Sequence, residues 1–593
     1  MAPPQEPLLS GRPSSDVSND NNLAEEDALL TGERQQRPSG PPSRWQRWKD
    51  IGLFAWALVA TAVVIILAVV YQKQNSENGS SGSNPTGKRN LIFMVSDGMG
   101  PTSLSMTRSY RQFEAGLPYD SKLTLDWHMI GQSRTRSTSS LVTDSAAGAT
   151  AFSCGKKSYN GAISVLDDHT PCGTVLEAAK KAGYMTGLVV TTRITDATPA
   201  CFAAHVNMRS EEDRIAEQMV GAIHPLGRVL DLMIGGGRCH FLPNTTDGSC
   251  RADDTDVVAL SKKDGWNYID TRKDFDGLKL GSEVELPLLG LVADHDIPYE
   301  VDRAQENENY PSLDEMARTA MKALSAATKN SDKGFFLMIE GSRIDHAGHA
   351  NDPVAQVHEV LAYDQAFSSV LEFLEKDDVP GVMVSTSDHE TGGLAAARQL
   401  TAAYPEYLWF PGVLANASRS SAWLTEQYYT HLDHAAKGDM SAYIKKQLKT
   451  GLGVEDASDD EIKKLVDNPE TAAYQFADII SRRAQTGWST HGHSAADVNI
   501  YTSDPHAAAP LIGNHENTYV GEFLRNYLSV DVESITQELK DKGIKLNSVD
   551  ASGNEVSWLG KMPEKDERLD GQDHLQHYDG NFKKRHVGCD CGL

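Results

Sequence analysis

The stretch Val142-Thr143-Asp144-Ser145-Ala146-Ala147-Gly148-Ala149-Thr150-Ala151 sets one hydroxyl between an acidic residue and a run of small side chains. It predicts a helix starting at Ser145, capped by Thr143 or Asp144, with backbone N–H groups turned toward an incoming anion and no bulk in front of the hydroxyl. Alone, such a stretch would be an ordinary capped helix packed through small residues. It is accompanied by Asp345-His346-Ala347-Gly348-His349, Ser387-Asp388-His389-Glu390 and Thr490-His491-Gly492-His493, an inventory of carboxylates and imidazoles of the kind that binds zinc. Asp345 and His349, four apart, share one face of a helix and can hold one metal, and His491 is expected to complete their set. Asp388 and His389 cannot share a helix face, but at a strand end both can turn to a metal.

The elements that must carry these groups follow from the apolar runs. Residues 90–96, 186–192, 335–339 and 381–385 read as short strands buried on both faces, and the patterns at 174–181 and 313–327 between such runs are helical. This is an α/β protein with a central, largely parallel sheet covered by helices on both faces. In such sheets ligands sit beyond the carboxyl ends of the strands, where Asp97, Glu340, Asp388 and His389 all fall.

At 593 residues and a formal charge of -26, the chain can bury a large core and is a poor partner for nucleic acid. Seven cysteines without a CxxC pair exclude a Cys-rich zinc module. The spacing of Cys239 and Cys250 suits a short disulfide loop, and Cys154 with Cys172 is a second candidate pair. Residues 1–50 read as a disordered cytosolic tail, within which Glu25-Glu26-Asp27-Ala28-Leu29-Leu30 resembles an acidic dileucine sorting signal. Residues 51–71 are apolar and uncharged, long enough for a transmembrane signal-anchor, and the basic residues before them leave the N-terminus cytosolic. A linker over 72–88 then leads to a luminal catalytic domain over 89–550, with an insertion at about 395–485 and a polar tail over 551–593 that is a candidate for processing. Asn78, Asn244 and Asn416 begin glycosylation sequons on the luminal side.

Val95-Ser96-Asp97-Gly98-Met99-Gly100, Thr143-Asp144-Ser145-Ala146-Ala147, the segment from Glu340 to His349 and the segment from Ser385 to Gly393 together resemble the alkaline phosphatase family, in the family's order over most of residues 90–500. With its single N-terminal span the chain is most similar to the fungal vacuolar, repressible type. The resemblance implies hydrolysis of small phosphomonoesters through a phosphoserine at Ser145, with two zinc ions and one magnesium ion and an alkaline optimum. It implies that Asp345, His349 and His491 hold the first zinc and that Asp388, His389 and Asp97 hold the second, Asp97 also bridging toward magnesium. Glu340, Asp196 and Thr198 would complete the magnesium site, and Arg209 would clamp the phosphoryl group. Asp196 matches the bacterial members and His346 the animal ones. A homodimer at the vacuolar membrane is implied as well.

Two rivals are weighed against this. Related metalloenzymes on the same fold cleave phosphodiesters or sulfates, but the context of Ser145 and the complete ligand set favour monoesters. A membrane-tethered, non-catalytic binder of phosphorylated ligands would be marked by loss of a ligand or of the nucleophile, and none is lost.

Overall fold

The computed structural model describes residues 87–434, 440–546, 548–549 and 555–563, with single positions at 45, 48, 49, 54, 56 and 61. Apart from those single positions and residues 87–88, the tail, span and linker expected over 1–88 lie outside the described residues, as does most of the tail expected over 551–593. No helix among the described residues is long and apolar enough to cross a membrane. Everything below concerns the compact unit Gly82–Leu593.

Its frame is a ten-stranded sheet. In chain order the strands are β1 (Asn90–Val95), β2 (Met129–Arg134), β3 (Met185–Arg193), β4 (Leu232–Gly236), β5 (Asn267–Ile269), β6 (Leu288–Leu291), β7 (Phe335–Glu340), β8 (Gly381–Thr386), β11 (Val498–Thr502) and β12 (Gly513–Glu516), while β9 (Glu390–Thr391) and β10 (His493–Ser494) pair separately. Across the sheet the order is β12-β2-β11-β8-β1-β7-β3-β4-β6-β5. Only β11 runs against its neighbours; all other pairings in the sheet are parallel. The four apolar runs picked from the sequence became β1, β3, β7 and β8, which lie side by side at the centre.

Period-2 alternation sorts the central strands between two cores. Leu91, Phe93 and Val95 face a layer with Phe152, Leu176, Phe202 and Leu524, whereas Ile92 and Met94 face one with Met316, Ala320, Tyr363 and Phe367. Helices therefore cover both faces, as the continuous apolar runs require. The helix Val175–Lys181 is capped by Thr174 and the helix Leu313–Thr328 by Ser312, each in a reciprocal capping box. Five helices between Pro411 and Ala484 build a separate cluster around Leu424, Tyr428, Ile444, Leu465 and Phe476. Both cysteine pairs suggested by spacing are bridged, Cys154 to Cys172 and Cys239 to Cys250, and Cys201 is a buried thiol.

Away from the strand ends, one buried carboxylate ties several elements together. Glu177 accepts from the Thr174 amide at 2.7 Å and from His205 Nε2 at 2.9 Å, and its Oε1 lies 3.0 Å from His224 Nε2. Burial alone would raise its pKa, but His205 and then His224 outweigh that and pull it from 4.5 to about 2. A folded-state value below the unfolded one means that the stabilisation, about 3 kcal/mol, is present above pH 4.5 and lost as pH falls toward 2. The stability gap between the native protein and Glu177→Gln, read from urea midpoints, is expected to shrink across that window. A gap that does not change with pH would show that Glu177 is not held as a carboxylate.

Candidate active site

Four adjacent parallel strands, β8, β1, β7 and β3, deliver polar groups to one edge of the sheet. Asp388 and His389 follow β8, Asp97 follows β1, Glu340 ends β7, and Asp196 caps the helix Ala197–Ala203 just beyond β3. Close packing of backbones makes the convergence feasible. Gly98 has φ +77°, and a Cβ there would lie 2.5 Å from the Asp345 Cα; a Cβ at Gly148 would lie 2.9 Å from the Asp388 Cβ. Only glycine lets these segments approach without displacing a carboxylate.

Ser145 is the first residue of the helix Ser145–Cys154. Asp144 is the cap: its Oδ1 accepts from Ala147 N at 3.0 Å and its Oδ2 from Gly161 N at 2.9 Å. The capping carboxylate thus fixes the turn that presents the buried Ser145 hydroxyl, whose Oγ lies 3.1 Å from His389 Nε2.

Around the hydroxyl, the imidazoles share one pattern. His493 Nδ1 faces the Thr143 carbonyl at 2.7 Å, and His349 Nδ1 faces the His491 carbonyl. His389 Nδ1 faces Thr391 Oγ1 at 3.1 Å, a hydroxyl that itself donates to Asp345. With acceptors at every Nδ1, the neutral form of each ring keeps its proton there and turns the Nε2 lone pair inward, the orientation that outer partners impose on metal-binding histidines. Asp345 lies 3.3 Å from His349 Nε2 and 3.5 Å from His493 Nε2, and the two Nε2 atoms are 3.1 Å apart. Two nitrogens at that distance share a proton when His349 is charged and, as two lone pairs, suit a metal ion when it is neutral.

The third imidazole beside Asp345 is therefore His493, and the expectation of His491 is corrected. His491 is exposed, its Nδ1 is spent on the His349 carbonyl at 2.7 Å, and its ring leans edge-on against Tyr474. Two histidines two apart cannot be told apart from the sequence alone. Pairing of His493 with Thr391 across the short β9–β10 ladder turns the second one inward, and that pairing joins residues a hundred positions apart.

The carboxylates repel one another. Burial, then Asp388, Asp345 and Glu340, raise Asp97 well above the ordinary range; burial, then Asp196 and Asp388, raise Glu340. Asp97 Oδ1, Asp388 Oδ2 and Glu340 Oε2 are buried without a hydrogen-bond partner. A buried carboxylate without a partner is costly unless it binds a cation, so the residues present fit metal ions. Thr198 Oγ1 lies 3.3 Å from Asp97 Oδ2, which puts it in the oxygen-rich part of the cluster with Glu340. Despite burial, Asp345 is held well below the carboxylate range by His349, His493 and His389.

Arg209 sits at the rim, about a third exposed, with Nη2 2.7 Å from Asp196 Oδ1 and Nη1 3.4 Å from Asp144 Oδ2. Asp196, expected among the magnesium ligands, is bound on both oxygens: Oδ1 by Arg209 and the Ala197 amide, Oδ2 by Arg193 at 3.1 Å. Burial would raise its pKa, but Arg209 and Arg193 drive it far below the usual range. Of the expected residues, Ser145, Asp97, Thr198, Glu340, Asp345, His349, Asp388 and His389 come together, Arg209 and Asp196 lie beside them, and His491 is outside. The sequence reading missed His493, Thr391 and Arg193.

A family model described as alkaline phosphatase matches residues 88–530. The repressible alkaline phosphatase of Saccharomyces cerevisiae is 51% identical over 508 residues, covering 82% of this chain and 89% of that protein. The crystal structure of Thermus thermophilus alkaline phosphatase aligns with a TM-score of 0.64 at 27% identity, over 77% of this chain and 96% of that one. A histidine-to-aspartate mutant of the TAB5 alkaline phosphatase, solved with Mg bound in the M3 site, aligns with a TM-score of 0.52 at 27% identity, over 74% and 98% of the two chains.

The geometry separates two neighbouring histidines. His493→Ala should lose bound zinc, with a tenfold or larger drop in affinity, whereas His491→Ala should retain it. Zinc content after gel filtration measures both, and loss of zinc in His491→Ala alone would restore the original assignment.

Proposed function

The chain belongs to the alkaline phosphatase family and is an enzyme of that kind, and we propose that it hydrolyses phosphomonoesters through a phosphoserine formed at Ser145, with two zinc ions and one magnesium ion. The observation that carries the proposal is the Ser145 hydroxyl, buried at a helix start 3.1 Å from His389 Nε2 and fronted by small side chains. Asp345, His349 and His493 would hold one zinc and Asp97, Asp388 and His389 the other. Imidazole suits zinc, whereas the oxygens of Glu340, Thr198 and Asp97 suit magnesium. Asp196 adds negative charge beside Glu340. When bound, the metals would favour the serine alkoxide and screen charge on the attacking and leaving oxygens.

Ser145 Oγ forms a bond to phosphorus as the ester P–O bond breaks and the alcohol leaves. Water then cleaves the phosphoserine, releasing phosphate and restoring the hydroxyl. The helix start at Ser145 faces the phosphoryl oxygens with unpaired N–H groups. Arg209 donates from two nitrogens to two of those oxygens, a fork that matches a phosphate. Asp144 holds the turn and steadies Arg209.

The same reading makes the chain a single-pass type II protein of the vacuolar membrane, anchored by residues 51–71, with its catalytic body luminal and acting as a homodimer. Two bridged cysteine pairs accord with an oxidising compartment, and Asn244 and Asn416 are exposed, as glycosylated asparagines must be.

Ser145→Ala deletes one oxygen and should lower turnover of a chromogenic monoester by about 10³-fold or more while fold and metal content persist. Chelator should abolish activity of the unaltered protein, and zinc with magnesium should restore it. Undiminished turnover in Ser145→Ala would sink the nucleophile assignment.

The imidazoles set the direction of the pH dependence. Burial, then His389, push His493 down to about 3, so it is neutral throughout the working range. His349 and His389 are raised by Asp345 and Asp388 respectively, against burial, and release their protons only above the ordinary imidazole range. Zinc retention and activity are therefore expected to rise together as pH increases through and above neutrality. Equal zinc content at pH 5 and pH 9 after dialysis would contradict this.

A further inference from the structure

Arg209 can grip a phosphoryl group only while its nitrogens remain available, and a carboxylate beside it competes for them. Asp196 has two oxygens, enough to fork onto Arg209 and withdraw it from substrate. In the structure that fork is blocked. Asp196 Oδ1 receives Arg209 Nη2 at 2.7 Å, while Oδ2 receives Arg193 Nη2 at 3.1 Å. Arg193, the last residue of β3, is itself fixed from two sides. Its Nη1 lies 2.9 Å from Asp296 Oδ1, which also accepts its backbone N–H at 3.0 Å, and its Nε lies 2.9 Å from Glu212 Oε2. Glu212 is held in turn by Thr195 Oγ1 at 2.6 Å. Asp296 is also within reach of His346 Nδ1, at 3.4 Å.

Resting on the phosphomonoesterase reading above, we propose that Arg193 is a positioning residue for phosphate. Anchored by Asp296 and Glu212, it occupies the outer oxygen of Asp196, so that Asp196 offers Arg209 one oxygen rather than two. With Nη2 on Asp196 and Nη1 on Asp144, each terminal nitrogen of Arg209 then keeps one further N–H for phosphate. Arg193 makes no contact with the reacting atoms; its effect on phosphate passes through Asp196 and ends at Arg209.

Such an indirect role has a signature that a merely structural one lacks, because the effect must vanish when Arg209 is absent. Binding of inorganic phosphate to the full-length holoenzyme is measured by calorimetry for the parent, Arg193→Met, Arg209→Ala and the double variant, with zinc and magnesium content determined on each. Arg193→Met is expected to weaken phosphate about tenfold at unchanged metal content, and to change it by less than about twofold once Arg209 is alanine. If Arg193→Met does not fold, Arg193→Lys keeps the charge but not the fork; it should weaken phosphate by a smaller factor that likewise disappears in the Arg209→Ala background. Parent-like affinity in the single variant, or an undiminished penalty without Arg209, overturns the relay. A parent holoenzyme that does not bind phosphate overturns the phosphatase-site reading itself, and the relay with it.

Discussion

The structure turns on the repulsion among four buried carboxylates, Asp97, Asp345, Asp388 and Glu340, at the carboxyl edge of one sheet. Without cations, three of them keep an unpartnered oxygen or a raised pKa, which marks free energy spent rather than gained in folding. A protein sheds such a cluster unless it binds something positive. The surrounding hydrogen bonds relieve the repulsion only at Asp345 and Asp388, which imidazoles hold low, and leave Asp97 and Glu340 raised. They fix three imidazoles with their lone pairs inward, which would worsen an empty site and complete a filled one.

Parallel strands are what bring the charges so close. Neighbouring strands of a sheet lie about 4.8 Å apart, so groups that follow β8, β1 and β7 are near neighbours whatever their separation in the chain. Helices packed on both faces leave the strand ends as the open edge. Glycines then remove the last obstruction, Gly98 against Asp345 and Gly148 against Asp388, each where one added carbon would force a ligand aside. Gly148 also brings the helix of Ser145 against Asp388, so placement of the hydroxyl and of the carboxylate is one packing problem.

Much of this was legible in the sequence because it is local. Apolar runs of strand length, the cap before Ser145, the i, i+4 spacing of Asp345 and His349, and both cysteine pairs depend on neighbours along the chain. The errors came where the chain returns from a distance. His491 and His493 stand two apart, and only the pairing of β10 with β9 decides which faces inward. For Asp196 the ligand role is what the resemblance implies, and nothing local announces that Arg193 and Arg209 bind both of its oxygens. Arg193 itself reads as a strand-end cation until Asp296, about a hundred residues away, is seen beside it.

Net charge leads to the same conclusion from the other direction. A chain of formal charge -26 repels phosphate monoesters in general, but screening confines that to about 8 Å at physiological salt. Capture is decided by nearby groups, and those are negative as well. Asp144, Asp196, Glu212 and Asp296 surround Arg193 and Arg209, and the carboxylates of the candidate metal site lie next to them. Eight carboxylates outnumber the guanidiniums of Arg193, Arg209 and Arg343, the last 3.8 Å from Asp296. The proposed two zinc ions and one magnesium would carry the charge that balances that excess and so admit the substrate before any bond is broken. Under that balance the proposed role of the arginines is to orient the phosphoryl group, and the way Asp196 divides its two oxygens between them bears on it.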